Sequence, residues 1–131
     1  MRDPLPATAT VISFIDRINR ADPDGLGLLM TADHRLHVFD EPPLIGRAAN
    51  VEAWRGYFTS YSQYVIYPRR ITSHDQSVAV LGHTTGSHLD LPEHEEAELT
   101  LIWLATAVDG MVTLWRLTED NATHRSRYGL N

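Results

Sequence analysis

The first third of the chain places apolar residues at helical spacing. Between about Thr8 and Ala21 apolar positions recur on one side, and charged residues occupy the other. Asp22-Pro23-Asp24 interrupts this pattern, and a short second helix is predicted from Gly25 to about Thr31. A third helix is predicted from about Ala48 to Ser60. The apolar stripes of the first and third helices contain Val11, Phe14, Ile15, Ile18, Val51, Trp54 and Phe58.

Strand patterns follow from Tyr61 almost to the end of the chain. Four strands are predicted, at about 64–72, 77–89, 97–108 and 111–119. Asp109-Gly110 separates the last two strands and is typical of a tight hairpin turn. The remaining tail is polar and is predicted to be irregular or a short helix. Helices followed by an antiparallel sheet indicate the α+β class.

The strand that crosses Glu98 to Ala105 is apolar on both faces, although an antiparallel strand normally keeps one face in water. We expect the face with Thr100, Ile102 and Leu104 to meet the helices. The opposite face then needs another cover, which predicts a homodimer packed sheet to sheet. The residues predicted for that interface are Leu81, Leu99, Leu101, Trp103 and Leu114.

Composition and charge narrow the functional classes. The 131 residues are enough for one domain, 1–131, with an ordered core at about 8–120. A net charge of -6 and the absence of a basic run argue against a nucleic-acid partner. No apolar stretch is long enough for a membrane span, and the first ten residues lack the apolar core of a signal peptide. Together with the lack of cysteine, this predicts a cytoplasmic protein.

Asp40 is the first candidate for chemistry. It ends the run L-H-V-F-D and precedes the turn Glu41-Pro42-Pro43, so a carboxylate stands where a strand ends. Leu36, Val38 and Asp40 alternate onto one face, which would place the acid at the lip of an apolar cavity. The alternative is a structural acid that accepts hydrogen bonds from nearby backbone amides in the turn.

Four segments of the chain resemble the nuclear transport factor 2-like superfamily, and within it the SnoaL-like branch. They are F-I-D-R-I-N-R-A-D-P-D-G-L from Phe14, the acid after the first strand, P-L-I-G-R from Pro43 and D-G-M-V-T-L-W-R-L-T-E-D from Asp109. The resemblance extends from about Val11 to Asp120. It implies a cone in which three N-terminal helices pack on a strongly curved, mostly antiparallel sheet and close a deep pocket. Such proteins include isomerases, cyclases, epoxide hydrolases, dehydratases and non-catalytic binders.

Comparison with the chemistries of that superfamily leaves one enzymatic hypothesis. Phe14 and Ile102 stand where ketosteroid isomerases have their two hydrogen-bond donors, and neither side chain can donate. Leu117 stands where limonene epoxide hydrolases have an acid. The resemblance therefore implies proton transfer by a single group, Asp40 or His88, of polyketide-cyclase or isomerase type. The alternative is a non-catalytic binding or dimeric interaction module whose pocket is filled by side chains.

Strand alternation and the resemblance together predict which residues line the pocket. We expect a small-molecule ligand there and neither a cofactor nor a metal, because the closely spaced histidines of each strand fall on opposite faces. An open cavity would favour ligand chemistry, and a plugged one would favour the interaction module. The predicted lining residues are Phe14, Trp54, Tyr57, Val80, Thr84, His88, Glu98, Thr100, Ile102, Trp115 and Leu117.

Overall fold

The computed structural model describes residues 6–131, so the first five of the ten residues used to exclude a leader peptide lie outside the described range. The helices are α1 Ala7–Asn19, α2 Pro23–Leu28, α3 Arg47–Ser60, α4 Glu93–Glu96 and α5 Ala122–Arg127. The strands are β1 Met30–Val38, β2 Leu44–Ile45, β3 Val65–His74, β4 Ser77–Thr85, β5 Leu101–Val108 and β6 Met111–Glu119. Within the described range, no helix has the length and apolar character needed to cross a membrane.

The six strands form one sheet in the order β2-β1-β6-β5-β4-β3. β1 and β6 are parallel, and every other neighbouring pair is antiparallel. The first three helices lie against one face of this sheet, and a single large apolar cluster lies between the two layers. The predicted α+β cone with a mostly antiparallel sheet is confirmed.

The helix α1 follows its apolar stripe. Val11, Phe14 and Ile18 are fully buried, because the 3.6-residue period turns them all toward the sheet. The chain then turns at Asp22, whose side chain accepts a hydrogen bond from the backbone N–H of Gly25 at 2.9 Å and caps α2. Arg17 pairs with the same carboxylate at 3.0 Å, which joins the two helices.

The second helix ends earlier than its sequence pattern predicts. It stops at Leu28, and Met30 already belongs to β1, where it is fully buried. The backbone N–H of Val112 donates to the carbonyl of Leu29 at 2.6 Å, so pairing with β6 begins directly after the helix. The free energy gained when β1 pairs with β6 outweighs the weak helical preference of this short segment.

The two faces of β5 are the reverse of the sequence-based assignment. Trp103 is opposite Val80 on β4 and Leu117 on β6, and all three face the helices. Ile102 is opposite Leu81 and lies on the outer side. The prediction was wrong because both faces of β5 are apolar. Alternation then divides the residues of β5 into two sets but does not say which set faces the helices.

The C-terminal tail covers part of the outer face of the sheet. It contains α5, and Leu130 is 0% exposed in a second apolar cluster with Ala79, Leu81 and Ile102. The hydroxyl of Thr72 donates to the carbonyl of Tyr128 at 2.7 Å and holds the tail against β3. Leu81 is therefore covered by the chain itself.

Two glycines of β4 and its following loop permit a close approach to β3. A Cβ at Gly82 would lie 2.3 Å from the carbonyl oxygen of Tyr67, which no side chain allows. Gly86 has a φ of +70° and a similar conflict with the carbonyl of Gln63. Gly82 pairs with Pro68, directly beside the register shift between Pro68 and Arg70 in β3.

His34 is a fully buried histidine on the inner face of β1. Its Nδ1 lies 2.7 Å from the carbonyl oxygen of Val112, so Nδ1 carries the proton and donates it. Its Nε2 has no hydrogen-bond partner among the described residues, and its ring is 5.7 Å from that of Phe14. Burial lowers the pKa of His34 below its ordinary value, more than the contacts with Val112 and Asp33 raise it.

Because the imidazole of His34 is buried, we expect the folded protein to lose stability in mild acid. The unfolded chain binds the proton more readily than the folded one, so stability is full above about pH 6.5 and falls as the pH decreases through that value. We expect His34→Gln to reduce this part of the pH dependence, measured by urea unfolding at about pH 5 and about pH 8. His74→Gln is the control, because the His74 side chain is 93% exposed. If the stability of both variants depends equally on pH, His34 does not contribute to the pH dependence.

Candidate functional site

The concave side of the sheet contains a cavity of about 220 Å³. It lies between α3 and the strands β1, β5 and β6, and aromatic and aliphatic side chains form most of its wall. This volume is below the roughly 300–1,000 Å³ of typical ligand sites. The lining residues are Leu36, Val38, Ala53, Trp54, Tyr57, Tyr64, His88, Trp103, Trp115 and Leu117.

Asn50 fixes the helix that covers the cavity. This residue is fully buried, and its side-chain N–H groups donate to the carbonyls of His34, Leu44 and Gly46 at 2.8–3.2 Å. The start of α3 is thereby held on β1 and β2. Trp54 follows one turn later and is directed from the same helix toward the sheet, because residues four apart share a helix face.

Tyr57 and His88 form a polar pair in the cavity wall. The Tyr57 hydroxyl lies 2.9 Å from His88 Nδ1, and it accepts the backbone N–H of His88 at 3.2 Å. The ring of Tyr64 lies 5.0 Å from that of Tyr57. Burial raises the pKa of Tyr57, and the hydrogen bond from the His88 amide opposes this increase. Tyr57 therefore remains a neutral phenol that sets the orientation of the imidazole.

Glu96 is a buried carboxylate behind this wall. It is 1% exposed, its Oε2 accepts a hydrogen bond from the Thr84 hydroxyl, and its Oε1 accepts the Ser87 amide at 3.4 Å. Its negative charge also helps to raise the pKa of Tyr57 and of Tyr64, although burial is the main cause for both. Sequence reasoning missed Glu96, because its segment E-H-E-E resembles a solvated loop.

Trp54 provides a hydrogen-bond donor with no acceptor. Its side chain is buried, and among the described residues nothing accepts the indole N–H. A buried polar group without a partner costs free energy unless a ligand or water satisfies it.

Five of the residues expected to line a pocket do line the cavity. Phe14 and Val80 are instead fully buried in the core beside it. Ile102 is on the outer face, as described above. The five lining residues are Trp54, Tyr57, His88, Trp115 and Leu117.

The other three expected lining residues lie in a separate groove at the rim of the sheet. This groove has a volume of about 710 Å³, and Thr84, Glu98 and Thr100 line it together with exposed Phe39 and Leu99 among others. At its edge Asp120 accepts hydrogen bonds from Thr100 at 2.5 Å and Arg125 at 2.6 Å. The bond from Arg125 is the main reason that the pKa of Asp120 is lowered.

Asp40 lies outside the cavity lining. It is exposed in the turn after β1, and Phe39 before it has a φ of +50°. This left-handed residue ends the strand alternation, so Asp40 does not continue the face of Leu36 and Val38. The backbone N–H of Glu41 donates to the carbonyl of Val38 at 3.0 Å and closes the turn.

Arg69 is a surface residue beside the bulge in β3. Its Nε donates to His83 Nδ1 at 3.2 Å and its Nη2 to the carbonyl of Ala97 at 2.6 Å. The guanidinium therefore fastens the segment after α4 to the sheet.

Comparison with known proteins agrees with this architecture. The model of the SnoaL-like domain matches residues 11–115. A candidate polyketide cyclase from Sinorhizobium meliloti superposes with a TM-score of 0.68 at 24% identity, covering 86% of this chain and 94% of its own. A nuclear transport factor 2-like protein of unknown function from Cytophaga hutchinsonii gives 0.69 at 9% identity, covering 92% and 95%.

An epoxide hydrolase from Mycobacterium tuberculosis, of the type called LEH-like, also shares the fold. Its TM-score is 0.68 at 15% identity, with 87% of this chain and 82% of that chain covered. Among curated proteins, no sequence matches. At these identities the similarity to solved structures establishes the fold and not a reaction.

Proposed function

The chain belongs to the SnoaL-like domain family, and on that premise we propose that it binds a small, mostly apolar molecule in the cavity beneath α3. The main support is the cavity wall, in which aromatic and aliphatic side chains surround a few polar groups. The alternative of a filled pocket assumed a plug of Phe14, Trp54 and Trp115. Phe14 is not part of the lining, and the two tryptophans border a cavity of about 220 Å³ instead of filling it.

The polar groups define where a hydrogen-bonding atom of the ligand would lie. The ring of Trp54 lines the cavity, and its indole N–H has no acceptor among the described residues. Tyr57 and His88 supply the other polar edge of the cavity. A mostly apolar molecule that carries one or two oxygen atoms fits such a wall.

Any chemistry in this cavity would use one group for proton transfer, as the resemblance implies. His88 is the better placed of the two candidates, because its ring lines the cavity and Tyr57 holds it in place. Asp40 is exposed in a turn that begins one residue after Val38. We therefore assign the proton transfer to His88 and no part of it to Asp40.

Ligand binding should be visible in the tryptophan fluorescence, since all three tryptophans of the chain line the cavity. A screen of small ketones, phenols and terpenoids by fluorescence and thermal shift should yield ligands that stabilise the folded state.

Ala53→Trp should abolish the binding of these ligands, because Ala53 lines the cavity from α3. Ala49→Trp, at an exposed position one turn earlier, should bind normally. A screen without ligands, or equal binding by both variants, would count against the proposal.

Turnover of a substrate found in this way would separate the two proton-transfer candidates. We expect His88→Asn to lower kcat by about 10²–10⁴-fold, the usual contribution of a general acid or base. Asp40→Asn should keep kcat close to that of the unaltered chain. The opposite pattern, with activity lost only in Asp40→Asn, would return the role to Asp40.

We also propose that two copies associate through the outer face of the sheet. Leu104 and Leu114 line a groove of about 570 Å³ there, beside the part that Leu130 covers. Leu101 and Trp103 are removed from the predicted interface, because they belong to the inner core. Leu99 is exposed at the rim.

The dimer can be tested by size-exclusion chromatography with light scattering. Leu114→Glu should give monomers, because a carboxylate buried in an apolar contact between two sheets would have no partner for its charge. Leu28→Glu is the control, since Leu28 is 79% exposed on α2, away from this face. Monomers of the unaltered chain would contradict the proposal.

A further inference from the structure

The cavity is unusually rich in aromatic rings for its size. Five of its ten lining residues are aromatic: Trp54, Tyr57, Tyr64, Trp103 and Trp115. They come from α3, the segment before β3, and the strands β5 and β6, so they approach the cavity from several sides. On the α3 side, the Trp54 ring is 6.2 Å from that of Tyr57 and 6.5 Å from that of Tyr64. Such a group of rings attracts cations through the negative faces of their π systems.

A buried negative charge lies behind the same wall. The Glu96 carboxylate is hydrogen-bonded by Thr84 and Ser87, and among the described residues no arginine or histidine forms an ion pair with it. Arg69 binds the carbonyl of Ala97, next to Glu96, and not the carboxylate. A buried carboxylate is costly without a compensating cation.

Glu96 is close enough to the cavity for its charge to act there. Its hydrogen-bond partner Ser87 directly precedes His88, which lines the cavity. Its charge helps to raise the pKa of the phenols of Tyr57 and Tyr64, which both line the cavity, whereas Glu96 itself lines the neighbouring groove at the rim of the sheet. The low dielectric constant of this region preserves the attraction that water would screen.

We propose that the ligand of this cavity carries a methylated ammonium group, held by the aromatic rings and attracted by the buried Glu96 carboxylate. This inference rests on the proposed ligand-binding function and specifies its ligand class. Methyl groups on the cation suit an apolar wall, because they allow the charge to be desolvated at low cost. A hydroxyl group on the same molecule would meet the polar pair of Tyr57 and His88, which lines the cavity.

Two probes of nearly equal shape test whether the positive charge of the ligand strengthens binding. Choline and its uncharged carbon analogue 3,3-dimethylbutan-1-ol have the same hydroxyl group and the same three methyl groups. At about pH 8, where histidines of ordinary pKa are neutral, the unaltered chain should bind choline about tenfold more tightly in a calorimetric or fluorescence titration. Equal binding, or tighter binding of the alcohol, would overturn the inference.

A comparison of two variants tests the role of the Glu96 carboxylate. Glu96→Gln keeps the shape of the side chain and removes its charge, so choline affinity should fall by about three- to tenfold while the alcohol binds as before. Glu95→Gln, at an exposed position on the same helix, should change neither affinity. Unchanged choline binding in Glu96→Gln would overturn the role of the carboxylate. If that variant does not fold, the two probes on the unaltered chain decide the inference.

The same experiments separate this inference from the function on which it rests. If uncharged ketones or terpenoids bind and choline does not, the ammonium assignment is wrong and the ligand-binding function stands. If neither these compounds nor choline binds, both proposals fail. Binding of choline that Ala53→Trp abolishes and Ala49→Trp preserves would support both and place the cation in this cavity.

Discussion

The register between β4, β5 and β6 is the constraint on which the cavity depends. Val80, Trp103 and Leu117 are directly opposite one another on neighbouring strands, so all three must face the same side of the sheet. The next pair along β5 and β6, Ala105 and Trp115, also faces inward. A slip by one residue would move Trp103 to the outer face and Ile102 to the inner one. The aromatic wall would then lose one of its largest rings.

The polar side of the cavity is assembled from segments that are far apart in the chain. Tyr57 comes from α3, His88 from the loop after β4, and Glu96 from the short helix α4. Hydrogen bonds to Tyr57 and Glu96 hold Ser87 and His88 in the wall. A neutral phenol thus orients an imidazole in the cavity wall, and a buried carboxylate of the neighbouring rim groove holds the residue that precedes the imidazole.

Much of the architecture was accessible from the sequence. Helix periodicity in α1 and α3 and the Asp109-Gly110 turn each reflect a local rule, and the structure confirms all three. Five lining residues were also found, because Trp54 and Tyr57 lie on one helix and Trp115 and Leu117 alternate on one strand. Glu96 carried no comparable signal, since an acidic loop is ordinarily exposed. The position of Asp40 also depended on the backbone of Phe39, which the pattern of apolar residues does not reveal.

The sequence by itself determined the family, the α+β class, most helices and strands and the inward side of β4 and β6, because these follow from local spacing and motifs. Only the tertiary structure decided which face of β5 is the core, since both faces are equally apolar and strand pairing makes the choice. It also decided that Leu130 covers Leu81 and that Glu96 is buried beside two tyrosines. These contacts join residues distant in the chain, and their energies exist only once the strands have paired.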